Sequence, residues 1–122
     1  MAATVLIVDD GRLGVHLGQV LEIGGYAPLL AQGARMGLRL AEKRQPNVIL
    51  TDWLLPDMDG FKFIRQLRDV PVLVHTPFIV MSADVNHRDE VLAAGAAMFL
   101  RKPVLHGGFL SSVGRVLSEN HD

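Results

Sequence analysis

Along the chain, short apolar runs alternate with longer stretches in which apolar residues recur at helical spacing. Thr4 to Val8, Val48 to Thr51, Phe78 to Met81 and Met98 to Arg101 are such runs, and Tyr26 to Leu30 is a weaker one. None alternates apolar with polar residues, so each reads as a parallel strand covered on both faces. Between them, Leu13, Leu17, Val20 and Leu21 form one helical stripe. Met36, Leu40 and Ala41 form a second, which Pro46 stops. Phe61, Ile64 and Leu67 form a third behind Asp59, a residue suited to cap a helix. Val91 and Leu92 mark a short fourth helix closed by Gly95, and Phe109, Leu110, Val113 and Val116 mark a fifth. Five strands alternating with five helices predict an α/β fold with right-handed crossovers.

Pro28 bears on the strand order. Proline has no N–H for a central ladder, so strand two belongs on an edge. The order 2-1-3-4-5 satisfies this, and it places a topological switch point between strands one and three, where open α/β sheets bind ligands. Gly14, Gly18, Gly37 and Gly114 fall inside predicted helices, each costing about 1 kcal/mol relative to alanine. They mark close packing or a tolerated cost. They predict modest stability or mobile helices, above all near Gly107 and Gly108 at the start of the last helix.

Length and charge narrow the classes. A chain of 122 residues suits a single domain spanning 1–122. The net charge of -1, from 12 basic and 13 acidic residues, offers no basic footprint for nucleic acid and no polybasic membrane patch. The absence of cysteine excludes disulfides and thiolate metal sites. No segment approaches the roughly 18 apolar residues of a membrane span. The Met-Ala-Ala-Thr start lacks the features of a signal peptide, so a cytoplasmic location is expected.

The chemistry gathers at the strand ends. Asp9 and Asp10 follow strand one, Asp52 strand three, Ser82 strand four and Lys102 strand five. In a parallel sheet these ends share one rim. Three carboxylates within about 5 Å repel by roughly 3 kcal/mol per pair at an effective dielectric near 20. One lysine cannot offset that. A hard divalent cation with oxygen ligands can, which describes Mg²⁺, with Mn²⁺ as its substitute. A phosphoryl group on Asp52 would then be surrounded by the cation, Lys102 and the Ser82 hydroxyl.

At these residues the chain resembles the receiver domain of two-component response regulators. The resemblance runs through Val-Leu-Ile-Val-Asp-Asp at 5–10, Asp-Trp-Leu-Leu-Pro-Asp-Met-Asp-Gly at 52–60 and Val-Met-Ser-Ala at 80–83. It continues through Ala-Ala-Gly-Ala at 93–96 and Phe-Leu-Arg-Lys-Pro at 99–103, covering essentially the whole chain. It implies a flavodoxin-like receiver fold with Asp52 as phosphoacceptor. Asp10 would bind Mg²⁺ directly, Asp9 through water, and the backbone carbonyl of Leu54 would be a further ligand. Ser82, the backbone N–H of Ala83, and Lys102 would hold the phosphoryl oxygens, and the bond before Pro103 would be cis. Phe99 matches an aromatic that swings inward as Ser82 is drawn to the phosphate. The implied protein is a signalling switch that assists its own phosphorylation and dephosphorylation. Its donor would be a phosphohistidine on a sensor kinase or phosphotransfer protein. Its output would be a target protein or second copy bound through the helix 4–strand 5–helix 5 face.

Other readings of the same residues are weaker. Asp9 and Asp10 alone could cap the first helix. Asp57, Asp59 and Gly60 read as turn and cap residues, since a calcium loop needs an acid or amide at Leu55 and a spaced glutamate. Leu54, two places after Asp52, rules out a phosphatase-type Asp-x-Asp site and cannot orient water with its side chain. Asp84, two places after Ser82, could reach the mouth of the site. Histidines 16, 75, 87, 106 and 121 lack metal-ligand spacing and read as surface residues. The stretch from Asp69 to Pro77 is a long connection without assigned function. A flavin carrier would want a Ser/Thr/Gly-rich phosphate loop where Asp9 and Asp10 stand. A receiver-like interaction module independent of phosphate is the other alternative, but it needs none of the acidic residues, Ser82 or Lys102.

Overall fold

The computed structural model describes residues 2–104 and 106–119, with only the backbone of His106. The expected surface positions of His106 and His121 therefore lie outside the described side chains. The strands are β1 (Thr4–Val8), β2 (Ala27–Ala31), β3 (Val48–Asp52), β4 (Phe78–Ser82) and β5 (Met98–Arg101). The helices are α1 (Arg12–Ile23), α2 (Ala34–Arg44), α3 (Gly60–Arg68), α4 (Arg88–Ala93) and α5 (His106–Glu119). All neighbouring strands pair in parallel, in the order β2-β1-β3-β4-β5. Pro28 does sit on the edge strand, paired in register with Val5. Ala27 N–H donates inward to Ala3 O at 2.9 Å, so by strand alternation the missing N–H of Pro28 belongs to the open side.

Alternation along the strands builds two cores from one sheet. Leu6, Val8, Ile49, Phe78 and Val80 face one side, where Ala34 and Ala41 of α2, Phe63, Ile64 and Leu67 of α3, and Val91 of α4 cover them. Val5, Ile7, Val48, Leu50, Ile79 and Met81 face the other, under Leu17, Val20 and Leu21 of α1 and Phe109, Val113 and Val116 of α5. Both faces of the sheet are dry, which is why its strands read as unbroken apolar runs.

Several helical stripes differ from expectation. Met36, Phe61 and Leu92 are exposed, at 45%, 44% and 38%. On α2 the sheet-facing positions are Ala34, Gly37 and Ala41. A Cβ on Gly37 would lie 3.0 Å from Val8 Cγ2 and 3.2 Å from Phe63 Cζ, so any larger residue would need both neighbours to give by a few tenths of an ångström. Gly14 likewise packs against Leu30 and Asp9, where a Cβ would stand 2.9 and 3.0 Å from their nearest atoms. Close packing thus accounts for both of these helical glycines. On α3, Phe63 takes the inward position, while Phe61 tilts over Trp53 with ring centroids 5.5 Å apart. Strand two begins at Ala27 because the Tyr26 N–H is used by Leu21 O in closing α1.

Loop residues tie these elements together. Asp59 caps α3, accepting from Lys62 N at 2.9 Å. Asp57 caps a different helix: it accepts from Ala34 N and Arg35 N at 2.9 and 3.0 Å, where Gly33 has no side chain to offer. Those N–H donors hold the Asp57 carboxyl below its ordinary pKa. The connection from Asp69 to Pro77 contains a 3₁₀ turn at Pro71–Leu73. Arg68 pins it, donating to Leu73 O and Thr76 O at 2.7 and 3.0 Å, with its guanidinium 4.9 Å from the Phe78 ring centroid.

Candidate functional site

The register of the sheet assembles the site. Val8 pairs with Thr51, so the next residues, Asp9 and Asp52, emerge side by side on the C-terminal rim. Asp52 pairs with Met81 and Ser82 with Arg101, which brings Ser82 and then Lys102 to the same rim. Backbone bonds extend the ladders past the strands: Asp9 N to Ala31 O and Lys102 N to Ser82 O, both 2.9 Å, and Trp53 N to Met81 O at 3.1 Å. The rim opens into a cleft of about 470 Å³ lined by residues that include Asp10, Asp52, Ser82, Asp84, His87 and Lys102.

Asp9, Asp52 and Ser82 are nearly buried, at 3%, 5% and 6% exposure, while Asp10 is exposed. Asp9 also does the capping work weighed as its alternative, since Oδ1 accepts from Gly11 N at 2.7 Å and Gly14 N at 3.3 Å. Lys102 Nζ lies 2.5 Å from Asp52 Oδ1 and 3.8 Å from Asp9 Oδ2. The first contact is an ion pair and not a well-aligned hydrogen bond: among the described residues, no donor meets Asp52 Oδ1 in good geometry. Burial, and after it the adjacent Asp9 carboxylate, push the Asp52 carboxyl from 3.8 up to about 7 against the pull of Lys102.

Asp9, Asp10 and Asp52 can each bring an oxygen within 4.8 Å of the others. Three carboxylates face one nearby ammonium, and one buried oxygen lacks a proper donor. An oxygen-only donor set with excess negative charge fits a hard divalent cation such as Mg²⁺. Leu54 exposes 70% of itself and lines the cleft, while its backbone bridges Asp59. Ala83 is exposed at the cleft. Phe99, in register with Val80, is half-buried against the α2/α3 core. The Lys102–Pro103 bond is cis.

Two further residues enter the site, Trp53 as the neighbour of Asp52 in sequence and His87 from outside the strand ends. Trp53, buried beside Asp52, donates its indole N–H to Glu90 Oε1 on α4 at 2.8 Å. His87 is no ordinary surface residue: its Nδ1 lies 3.0 Å from Ser82 Oγ, and its side chain is only 25% exposed. Asp84 creates that placement by accepting from Asn86 N at 2.9 Å and starting a 3₁₀ turn over Val85–His87. A turn-forming aspartate just after a strand is the signal that would have brought position 87 back over the strand end.

The family pattern of the response regulator receiver domain matches residues 5–113. This chain belongs to that family. Receiver domains are signalling domains of two-component systems, and they interact with histidine kinases and phosphotransfer proteins. This receiver domain is 35% identical over 107 residues to response regulator PleD of Caulobacter vibrioides, covering 85% of the chain but only 24% of PleD. It is 28% identical over 122 residues to the polar-differentiation response regulator DivK of Brucella ovis, covering 98% of the chain and 99% of DivK. The receiver domain of sensor histidine kinase PA1611 from Pseudomonas aeruginosa, solved with a magnesium ion coordinated in its active-site cleft, superposes with a TM-score of 0.88. That match has 25% identity and covers 97% of this chain and 99% of the other. Among the described residues no helix is long and apolar enough to cross a membrane.

Proposed function

We propose that this receiver domain is a Mg²⁺-dependent phosphorylation switch with Asp52 as phosphoacceptor. The observation that carries the reading is the buried Asp52 carboxylate, faced by Lys102 at 2.5 Å and crowded by Asp9 and Asp10. Asp9, Asp10, Asp52 and the Leu54 carbonyl would hold Mg²⁺, or Mn²⁺ in its place. The bound cation would neutralise charge on the incoming phosphoryl oxygens. An Asp52 oxygen attacks phosphorus in a phosphohistidine, forming the O–P bond as the P–N bond breaks, and the imidazole leaves with the bond's electron pair. Lys102 stays on the same rim to meet the transferred oxygens, and Ser82 and the Ala83 N–H meet them from β4. Hydrolysis would return the carboxylate. Leu54 offers no polar side chain to order the attacking water.

The donor is a sensor histidine kinase or phosphotransfer protein. The output face is α4, β5 and α5, where Ser82 and Phe99 would shift and a target or second copy would bind. This works only if that partner prefers one state. No direct nucleic-acid contact is part of the reading, and the expected setting is the cytoplasm, with 1–122 acting as one receiver unit.

Trp53 makes the test direct. Titration with Mg²⁺ should change its fluorescence, and a small-molecule phosphodonor should change it further in the wild type but not in Asp52→Asn. Mass spectrometry should then find one added phosphoryl group on the wild type alone. A Mg²⁺ response with no phosphorylated species, even with a cognate kinase, would favour the phosphate-independent module.

A further inference from the structure

Ser82 Oγ has one proton to donate and two acceptor sites. One acceptor site is taken by Asp84 N–H at 3.1 Å. His87 Nδ1 stands 3.0 Å away, and the direction of that bond depends on which ring nitrogen carries the proton. Asp84 Oδ2 lies 3.9 Å from Nε2 on the far side of the ring, which favours the proton there. Nδ1 is then an acceptor, and Ser82 gives its single proton to His87. In that arrangement the hydroxyl has nothing to donate to a phosphoryl oxygen.

We propose that His87 is a positioning residue that latches the Ser82 hydroxyl away from the phosphoryl site, so that phosphorylation must break the Ser82–His87 bond. This rests on Asp52 being the phosphoacceptor. Asp84 contributes to the latch twice: its backbone N–H donates to the hydroxyl oxygen, and its carboxylate, 3.9 Å from Nε2, electrostatically favours a proton on that nitrogen. The latch taxes the phosphorylated state. Its removal should favour that state, the opposite of what loss of a merely supportive contact would do.

Beryllofluoride, a phosphoryl mimic, tests this in the intact chain with Mg²⁺, read by Trp53 fluorescence at a pH well above the histidine range. His87→Ala should bind it about three- to tenfold more tightly than wild type, the span expected for one intramolecular hydrogen bond no longer in competition. His87→Asn, whose amide oxygen can take the place of Nδ1, should stay near wild type. In a Ser82→Ala background, His87→Ala should change nothing. ¹⁵N NMR of the unliganded protein should show the His87 proton on Nε2. Unchanged or weaker binding by His87→Ala overturns the latch, as does an equal gain without Ser82, or a proton on Nδ1. If wild type fails to bind beryllofluoride, or Asp52→Asn binds it equally, the phosphoacceptor reading falls and the latch with it. Asp52-dependent binding with no His87 effect overturns the latch alone.

Discussion

Asp52 holds a proton in the folded protein over a pH range in which the unfolded chain has lost it. Its carboxyl is raised from 3.8 to about 7, chiefly by burial and then by Asp9. Between those values the native state binds more protons than the unfolded state, so stability falls as pH rises through the window. The contribution is fully lost above about 7. Asp52→Asn carries no such charge. In EDTA, urea unfolding should find the variant close to wild type near pH 4 and more stable by about 1–3 kcal/mol at pH 8. Mg²⁺ should narrow the gap at pH 8 by stabilising the wild type. A gap independent of pH would contradict the assignment of burial strain to Asp52. At this scale the residues legible in the sequence were those that end strands. Asp9, Asp10, Asp52, Ser82 and Lys102 are placed by the sheet, whose rim follows from strand order. His87 is placed by a 3₁₀ turn that depends on the Asp84 side chain, and no periodicity encodes that.

Elements were legible where large apolar residues face the sheet. The α1 and α5 stripes emerged as expected because Leu17, Leu21, Phe109 and Val113 are both large and buried. Of the expected α2 stripe, Ala41 is buried and Leu40 packs on the core, but Met36 lies outside, because that helix approaches the sheet through Ala34, Gly37 and Ala41. Hydrophobic spacing detects bulk, whereas a tight helix–sheet contact is made from its absence. Two glycine substitutions separate these cases. Gly37→Ala must push Val8 and Phe63 aside and should lose about 1–3 kcal/mol. Gly18→Ala meets only ordinary contacts at 3.8 Å, with Ile7 and Pro28, and should gain about 0.5–1 kcal/mol of helix propensity. Urea midpoints moving in the same direction for both would show that backbone propensity, and not contact distance, governs these sites.

Across the whole molecule, the Trp53–Glu90 bond joins the end of β3, beside the proposed phosphoacceptor, to α4 on the proposed output face. Glu90→Ala should cost about 1 kcal/mol of stability. It should leave the extent of phosphorylation unchanged by mass while reducing the donor-induced change in α4 hydrogen exchange. An undiminished exchange response would remove this bond from the route between site and face. The sheet that anchors both has two open edges, and they are not alike. On the β2 side Pro28 breaks the outward row of donors, so an incoming strand would find a missing rung there. Strand-by-strand stacking of copies is thereby discouraged on that flank. Association of copies through backbone hydrogen bonds is steered away from that edge, and one route to fibrous assembly is obstructed.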